Sequence, residues 1–89
     1  MRLPTSFNGE SFASMDDARL RMVIHELCFT ERERLPKEMD AIVTEAEYLL
    51  REEPLKVDRF TALVDSATEA SPEWHAAMRE FAARQKNEA

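Results

Sequence analysis

His25 and Cys28 are the pair of residues in this chain that most resembles a metal-binding or catalytic motif. Three positions apart on a helix, they would be neighbours that could share a metal ion or act as base and nucleophile. A metal site needs further ligands, and His75 is the only other histidine. Cys28 falls in the apolar repeat of its helix, where a thiol is inert. We therefore expect a half-buried histidine, a core cysteine, no catalytic residue, no metal and no cofactor.

Acidic residues are numerous but are not arranged as an acid–base pair. Such a pair needs one carboxyl group in an apolar pocket, and no acid in the sequence is marked in that way. Residues 38–73 hold ten acids and three bases, a net charge of −7. Because this charge repels a phosphate backbone, we expect no direct binding of nucleic acid. A basic or nucleic-acid-handling protein is a suitable partner, and the candidate acidic contacts are Glu45, Glu47, Glu52 and Asp58.

The predicted first helix is apolar on two faces. Its core stripe has helical spacing and consists of Leu20, Val23, Ile24, Leu27 and Cys28. A second stripe lies roughly opposite and consists of Met15, Ala18, Met22 and Phe29. A helix of this kind is central in its bundle or presents one face to another molecule, and methionine adapts well to a partner. Either Phe7 and Phe12 of the N-terminal arm cover the second stripe, or it forms a dimer seam or a partner groove.

Prolines and capping residues divide the rest of the chain. Ser14 with Asp17 fits a capping box, Pro36 and Pro54 each break a helix, and Ser71-Pro72-Glu73 is typical of a helix start. These signals predict an all-α fold, a small bundle of four short amphipathic helices. The predicted helices span about 15–30, 36–52, 55–69 and 72–86. An irregular arm over 1–13 precedes a single helical domain over 14–89.

The composition fits this interpretation. Of the 89 residues, 44% are hydrophobic and 34% are charged, the net charge is −6, and there is one glycine. With so little glycine, β-hairpins are not expected. One cysteine allows no internal disulfide. Since the sequence begins without a signal-peptide pattern and has no run of about 20 apolar residues, we expect a cytoplasmic protein that does not enter a membrane.

Two short segments share a pattern with a known family. A Met-Asp start is followed at matching distance by Phe-x-Glu-Arg and then Pro, without a gap. The matching positions are Met15, Asp16, Phe29, Glu31, Arg32 and Pro36. Residues 51–54, Arg-Glu-Glu-Pro, are similar to the family's Arg-Glu-Gln-Pro, although the second helix is about seven residues, or two turns, longer here. The family's Val-Asn-Val-Asp-Leu run is replaced at 18–22 by Ala-Arg-Leu-Arg-Met.

In these positions the chain resembles the theta subunit family of bacterial DNA polymerase III. The resemblance implies a non-catalytic helical subunit that binds and stabilises the epsilon proofreading exonuclease. It also implies that the first helix and the turn over 29–36 take part in that binding.

We predict a small acidic non-enzymatic module that binds a larger protein as an accessory, inhibitory or regulatory factor. Its predicted contacts are the second stripe and the four acids named above. One alternative is the theta-like exonuclease partner. The other is a self-associating helical scaffold, such as a homodimer, without an outside target.

Overall fold

The computed structural model describes residues 4–87, and four helices form most of it. The helices are α1 (Asp17–Arg34), α2 (Lys37–Leu49), α3 (Val57–Ser66) and α4 (Pro72–Asn87). Helix α1 packs on α2 and α4, and α3 packs on the same two helices. The α3–α4 pair therefore lies across the bundle from the α1–α2 pair. The prediction of a small all-α bundle is confirmed.

The N-terminal arm contains a β-hairpin, which the low glycine content had argued against. Strand β1 (Ser6–Phe7) pairs antiparallel with β2 (Glu10–Ser11). The turn between them has positive φ at both central residues, 51° at Asn8 and 83° at Gly9. Asn-Gly is the dipeptide that such a turn favours, so one glycine in the right place is sufficient. Residues 1–3 of the predicted arm lie outside the described residues.

The start of α1 also differs from the prediction. Asp16, rather than Ser14, caps the helix, since its Oδ1 accepts the Arg19 N–H at 2.7 Å. Ser14 instead belongs to a short 3₁₀ turn, and its hydroxyl donates to the Ser11 carbonyl at 2.9 Å. At α4 the predicted cap is confirmed, because the Trp74 N–H donates to Ser71 Oγ at 3.2 Å.

Helices α2 and α3 are shorter than predicted. Helix α2 ends at Leu49 because the chain continues as a tight turn, in which the Leu50 N–H donates to the Glu47 carbonyl at 3.2 Å. Pro54 then disfavours helical backbone at Glu53, and the peptide bond between them is cis. Helix α3 ends at Ser66, since Ala67 has left the helical region with ψ of 63°.

The core lies between the four helices. Its largest fully buried side chains are Trp74, Phe60, Phe81, Leu20 and Ile24. The indole N–H of Trp74 donates to Cys28 Sγ at 3.2 Å. Within residues 4–87, no helix has both the length and the apolar content needed to cross a membrane.

One charged residue is buried with the core. Glu31, near the end of α1, is 3% exposed. Its carboxylate accepts bonds from the Arg34 guanidinium, one of them at 2.8 Å, and from the Ser71 backbone N–H. Arg34 also donates to the Glu69 carbonyl at 2.8 Å. These bonds hold the end of α1 against the start of α4.

Candidate protein-binding surface

Three large hydrophobic side chains of the described residues point into solvent. Met22 and Phe29 of α1 are 64% and 65% exposed, and Tyr48 of α2 is 64% exposed. Met22 and Phe29 are seven residues apart, so they share one helix face two turns apart. Ala18, also exposed, extends the same face by a turn. We call the surface formed by Ala18, Met22, Phe29 and Tyr48 the α1–α2 face.

A shallow pocket connects Tyr48 to α1. It measures about 250 Å³, and Arg32 of α1 lines it together with Tyr48 and Arg51. Arg32 follows Phe29 by three residues, which makes the two neighbours along α1. Tyr48 therefore borders the outer surface of α1 and does not lie on a separate part of the protein.

An ion network occupies the seam between the two helices. Glu47 Oε2 lies 2.7 Å from His25 Nδ1, and Glu47 Oε1 accepts a bond of 2.9 Å from Arg32 Nη1. Arg32 also lies 3.6 Å from Asp40. Glu47 thus joins two positions of α1 that are two turns apart. The Glu47 side chain is only 19% exposed, so this network lies largely within the seam, between the exposed apolar residues of α1 and Tyr48 of α2.

Met15 does not belong to this surface. It is 3% exposed and packs in the core, as does Phe12 of the arm. The physical reason is that Met15 precedes α1 and has extended backbone, with φ of −75° and ψ of 139°. The helical periodicity that placed Met15 in the second stripe does not apply there. Because Met22 and Phe29 remain exposed, the arm over residues 4–13 does not cover the stripe.

The four candidate acids are not brought onto one surface. Glu47 lies in the α1–α2 seam, whereas Glu45 pairs across to Arg59 of α3 at 2.8 Å. Asp58 lines a groove between α3 and α4. Glu52 lies beyond the end of α2, so it does not continue the surface of that helix. The negative charge of the middle of the chain is therefore divided between separate faces.

His25 and Cys28 lie in different environments. Cys28 is fully buried, and burial raises the pKa of its thiol to about 12 even though the bond from Trp74 lowers it. This confirms the prediction of a core cysteine. His25 is exposed and contacts Glu47, while His75 Nε2 lies 2.8 Å from the Ala67 carbonyl oxygen. Over residues 4–87, no three potential metal ligands come together.

Tyr48 is the one residue of the α1–α2 face that was not among the predicted contacts. Its exposure could have been predicted from the sequence, because Tyr48 falls outside the apolar stripe of α2. The buried members of that stripe are Val43, Ala46 and Leu49. An aromatic residue off the core stripe of an amphipathic helix is exposed.

Comparison of the chain with protein-family models, curated proteins and solved structures gave no match.

Proposed function

We propose that this protein is a non-enzymatic binding module that acts as an accessory, inhibitory or regulatory factor on a larger protein, and that it binds through the α1–α2 face. The observation that carries the proposal is the exposure of Met22, Phe29 and Tyr48, each about two-thirds in solvent, on two helices that are tied together.

Single exposed hydrophobic residues are ordinary features of protein surfaces. This group differs in its residue types, since aromatic residues and methionine are enriched at protein interfaces. Aromatic side chains also contribute a large share of binding energy where they fill a pocket. The thioether of Met22 can adjust its shape to the surface it meets.

The ion network makes the α1–α2 face suitable for binding. Because Glu47 already pairs with His25 and Arg32, the seam is electrostatically satisfied before a partner arrives. The helices do not need to be ordered on binding, which lowers the entropic cost of association. The affinity then comes from apolar contacts, so the expected partner offers an apolar groove or helix, and binding persists at high salt.

The test compares the tagged protein with its Met22→Glu/Phe29→Glu variant in capture from a lysate of the source organism. We expect a partner that the wild type retains in 1 M salt and that the variant loses, while both give the same helical signal by circular dichroism. Thr68→Glu, at an exposed position between α3 and α4, is the control and should retain the partner. Retention of every partner by the folded double variant would remove the proposal.

A proofreading exonuclease is one specific candidate for this partner. The resembling segment includes Phe29, which is exposed, whereas Glu31 and Arg32 of the same segment are engaged within the chain. We propose Phe29 as the member of that segment that contacts the exonuclease. Titration with an epsilon-type exonuclease should give binding that Phe29→Glu weakens at least tenfold. A lack of binding would exclude this candidate and leave the general proposal to the capture experiment.

A further inference from the structure

A groove of about 440 Å³ lies between α3 and α4, on the side of the bundle away from the α1–α2 face. Its floor is formed by the buried side chains of Phe60, Val64 and Met78. Its walls are exposed and carry a regular pattern of charge. This groove was not predicted from the sequence, and it is separate from the surface to which the proposed function is assigned.

The two walls of the groove have opposite charge. Asp58 and Asp65 line it from α3, and Arg79 and Lys86 line it from α4. Each pair is seven residues apart, so each forms a row along one helix face. Arg79 lies 3.0 Å from Asp65 at one end. Helices α3 and α4 are antiparallel neighbours joined by a short turn. Asp58 and Lys86, each two turns from the Asp65–Arg79 pair, therefore lie together at the other end of the groove.

Small side chains separate the charged ends. Thr61 and Ala62 lie on the acidic wall, and Ala82 and Ala83 lie on the basic wall. Helices approach one another most closely where the side chains between them are small. The centre of this face is therefore shaped for another pair of helices.

We propose that a second copy of this chain occupies the groove, related by a two-fold axis that runs parallel to α3 and α4. A two-fold interface uses the same patch on both subunits. Rotation about this axis places α3 of each copy over α4 of the other. It does not displace the second copy along the helix axes. Each Asp58 then meets Lys86 of the second copy, and each Asp65 meets Arg79 of the second copy. The two rows of charge are complementary at every position.

The other face-to-face arrangement is disfavoured by the same charges. A two-fold axis across the helices would place α3 over α3 and α4 over α4, so that acids face acids and bases face bases. Like charges in an interface oppose association and exclude the wrong arrangement. The contact area is small, roughly 15 by 20 Å for two helices of three turns. Since a patch of this size is smaller than the interfaces of standard specific complexes, the dimer is weak and depends on concentration and salt.

Two charge-reversed variants test the arrangement. Asp58→Lys/Asp65→Lys makes both walls basic, and Arg79→Glu/Lys86→Glu makes both walls acidic. Sedimentation velocity from low micromolar to near-millimolar concentration should show self-association of the wild type in low salt and none of either variant. Mixed in equal amounts, the two variants should associate, because each wall then meets its opposite.

Lys37→Glu/Arg51→Glu changes the net charge by the same amount as the acidic variant, at exposed positions away from the groove, and should dimerise.

Two results would overturn this inference. A wild type that stays monomeric at the highest concentration excludes the dimer. Dimers of either charge-reversed variant, as strong as those of the wild type, place any self-association elsewhere. Circular dichroism of each variant checks that loss of association is not loss of folding. The Met22→Glu/Phe29→Glu variant should dimerise like the wild type, which keeps this result distinct from the test of the α1–α2 face.

Discussion

The carboxylate of Glu31 accepts the backbone N–H of Ser71, forty residues away along the chain. Ser71 is also the residue whose hydroxyl caps α4. A buried acid of one helix thus supports the first turn of another, where the free N–H groups favour negative charge. Arg34 completes the arrangement by bonding both the carboxylate and the Glu69 carbonyl.

The Glu31 carboxylate should make the stability of the protein sensitive to acid. Burial raises its pKa, but the bonds from Arg34 and Ser71 outweigh this effect, so the pKa of Glu31 is lowered from its ordinary value of 4.5. A lowered folded-state pKa contributes stability above the unfolded-state value, and that stability is lost as the pH falls through the folded-state value. We expect Glu31→Gln to reduce the free energy of unfolding by about 1–3 kcal/mol at pH 7.

Thermal unfolding of the wild type and Glu31→Gln between neutral pH and pH 2 tests this expectation. The difference between the two proteins should shrink below about pH 4.5. Glu33→Gln, an exposed neighbour on α1, should follow the wild type at every pH. A constant difference between Glu31→Gln and the wild type over the whole range would contradict the role assigned to the carboxylate.

The Cys28 thiol should be unreactive until the protein unfolds. It is fully buried, its pKa is raised to about 12, and the Trp74 indole N–H donates to its sulfur. Since the thiolate is the reactive form, a thiol reagent at pH 8 should label the native protein at least a hundredfold more slowly than the protein in concentrated urea. Labelling at similar rates in both conditions would show that the α1–α4 contact opens readily.

The helices of this protein were predictable because their signals are local. Pro36, Pro54 and the Ser71-Pro72 pair mark helix limits within a few residues, and the apolar stripes identify the faces that pack inward. The hairpin was missed although its signal was also local, since the Asn8-Gly9 dipeptide carries more information than the glycine content of the whole chain.

The remaining features depend on contacts between distant residues. Glu31 looks like any other acid of a charged helix end, and only the approach of Ser71 shows that it is buried. The opposite charges of α3 and α4 are visible in the sequence, but their register becomes clear only when Asp65 meets Arg79. Met15 was assigned to the surface because the first helix was expected to begin two residues too early.

The Glu47 carboxylate should contribute more to stability than the neighbouring Glu45, although both form ion pairs. Glu47 is 19% exposed and joins two residues of α1, His25 and Arg32. Glu45 is 45% exposed and pairs with Arg59 alone, whose side chain is 62% exposed. Exposed single pairs contribute little, whereas charged hydrogen bonds of half-buried groups contribute more. We expect Glu47→Ala to reduce the free energy of unfolding by about 1–2 kcal/mol and Glu45→Ala by about 0.5 kcal/mol or less.

Urea unfolding of the two variants in low and high salt measures this difference. The effect of Glu45→Ala should vanish in 1 M salt, because exposed charges are screened there, while most of the effect of Glu47→Ala should remain. A double-mutant cycle between Glu47→Ala and Arg32→Ala then measures the coupling across the seam. Additive effects in that cycle would mean that the α1–α2 seam is held by its apolar contacts alone. The spacing between Phe29 and Tyr48 would then not depend on the ion network.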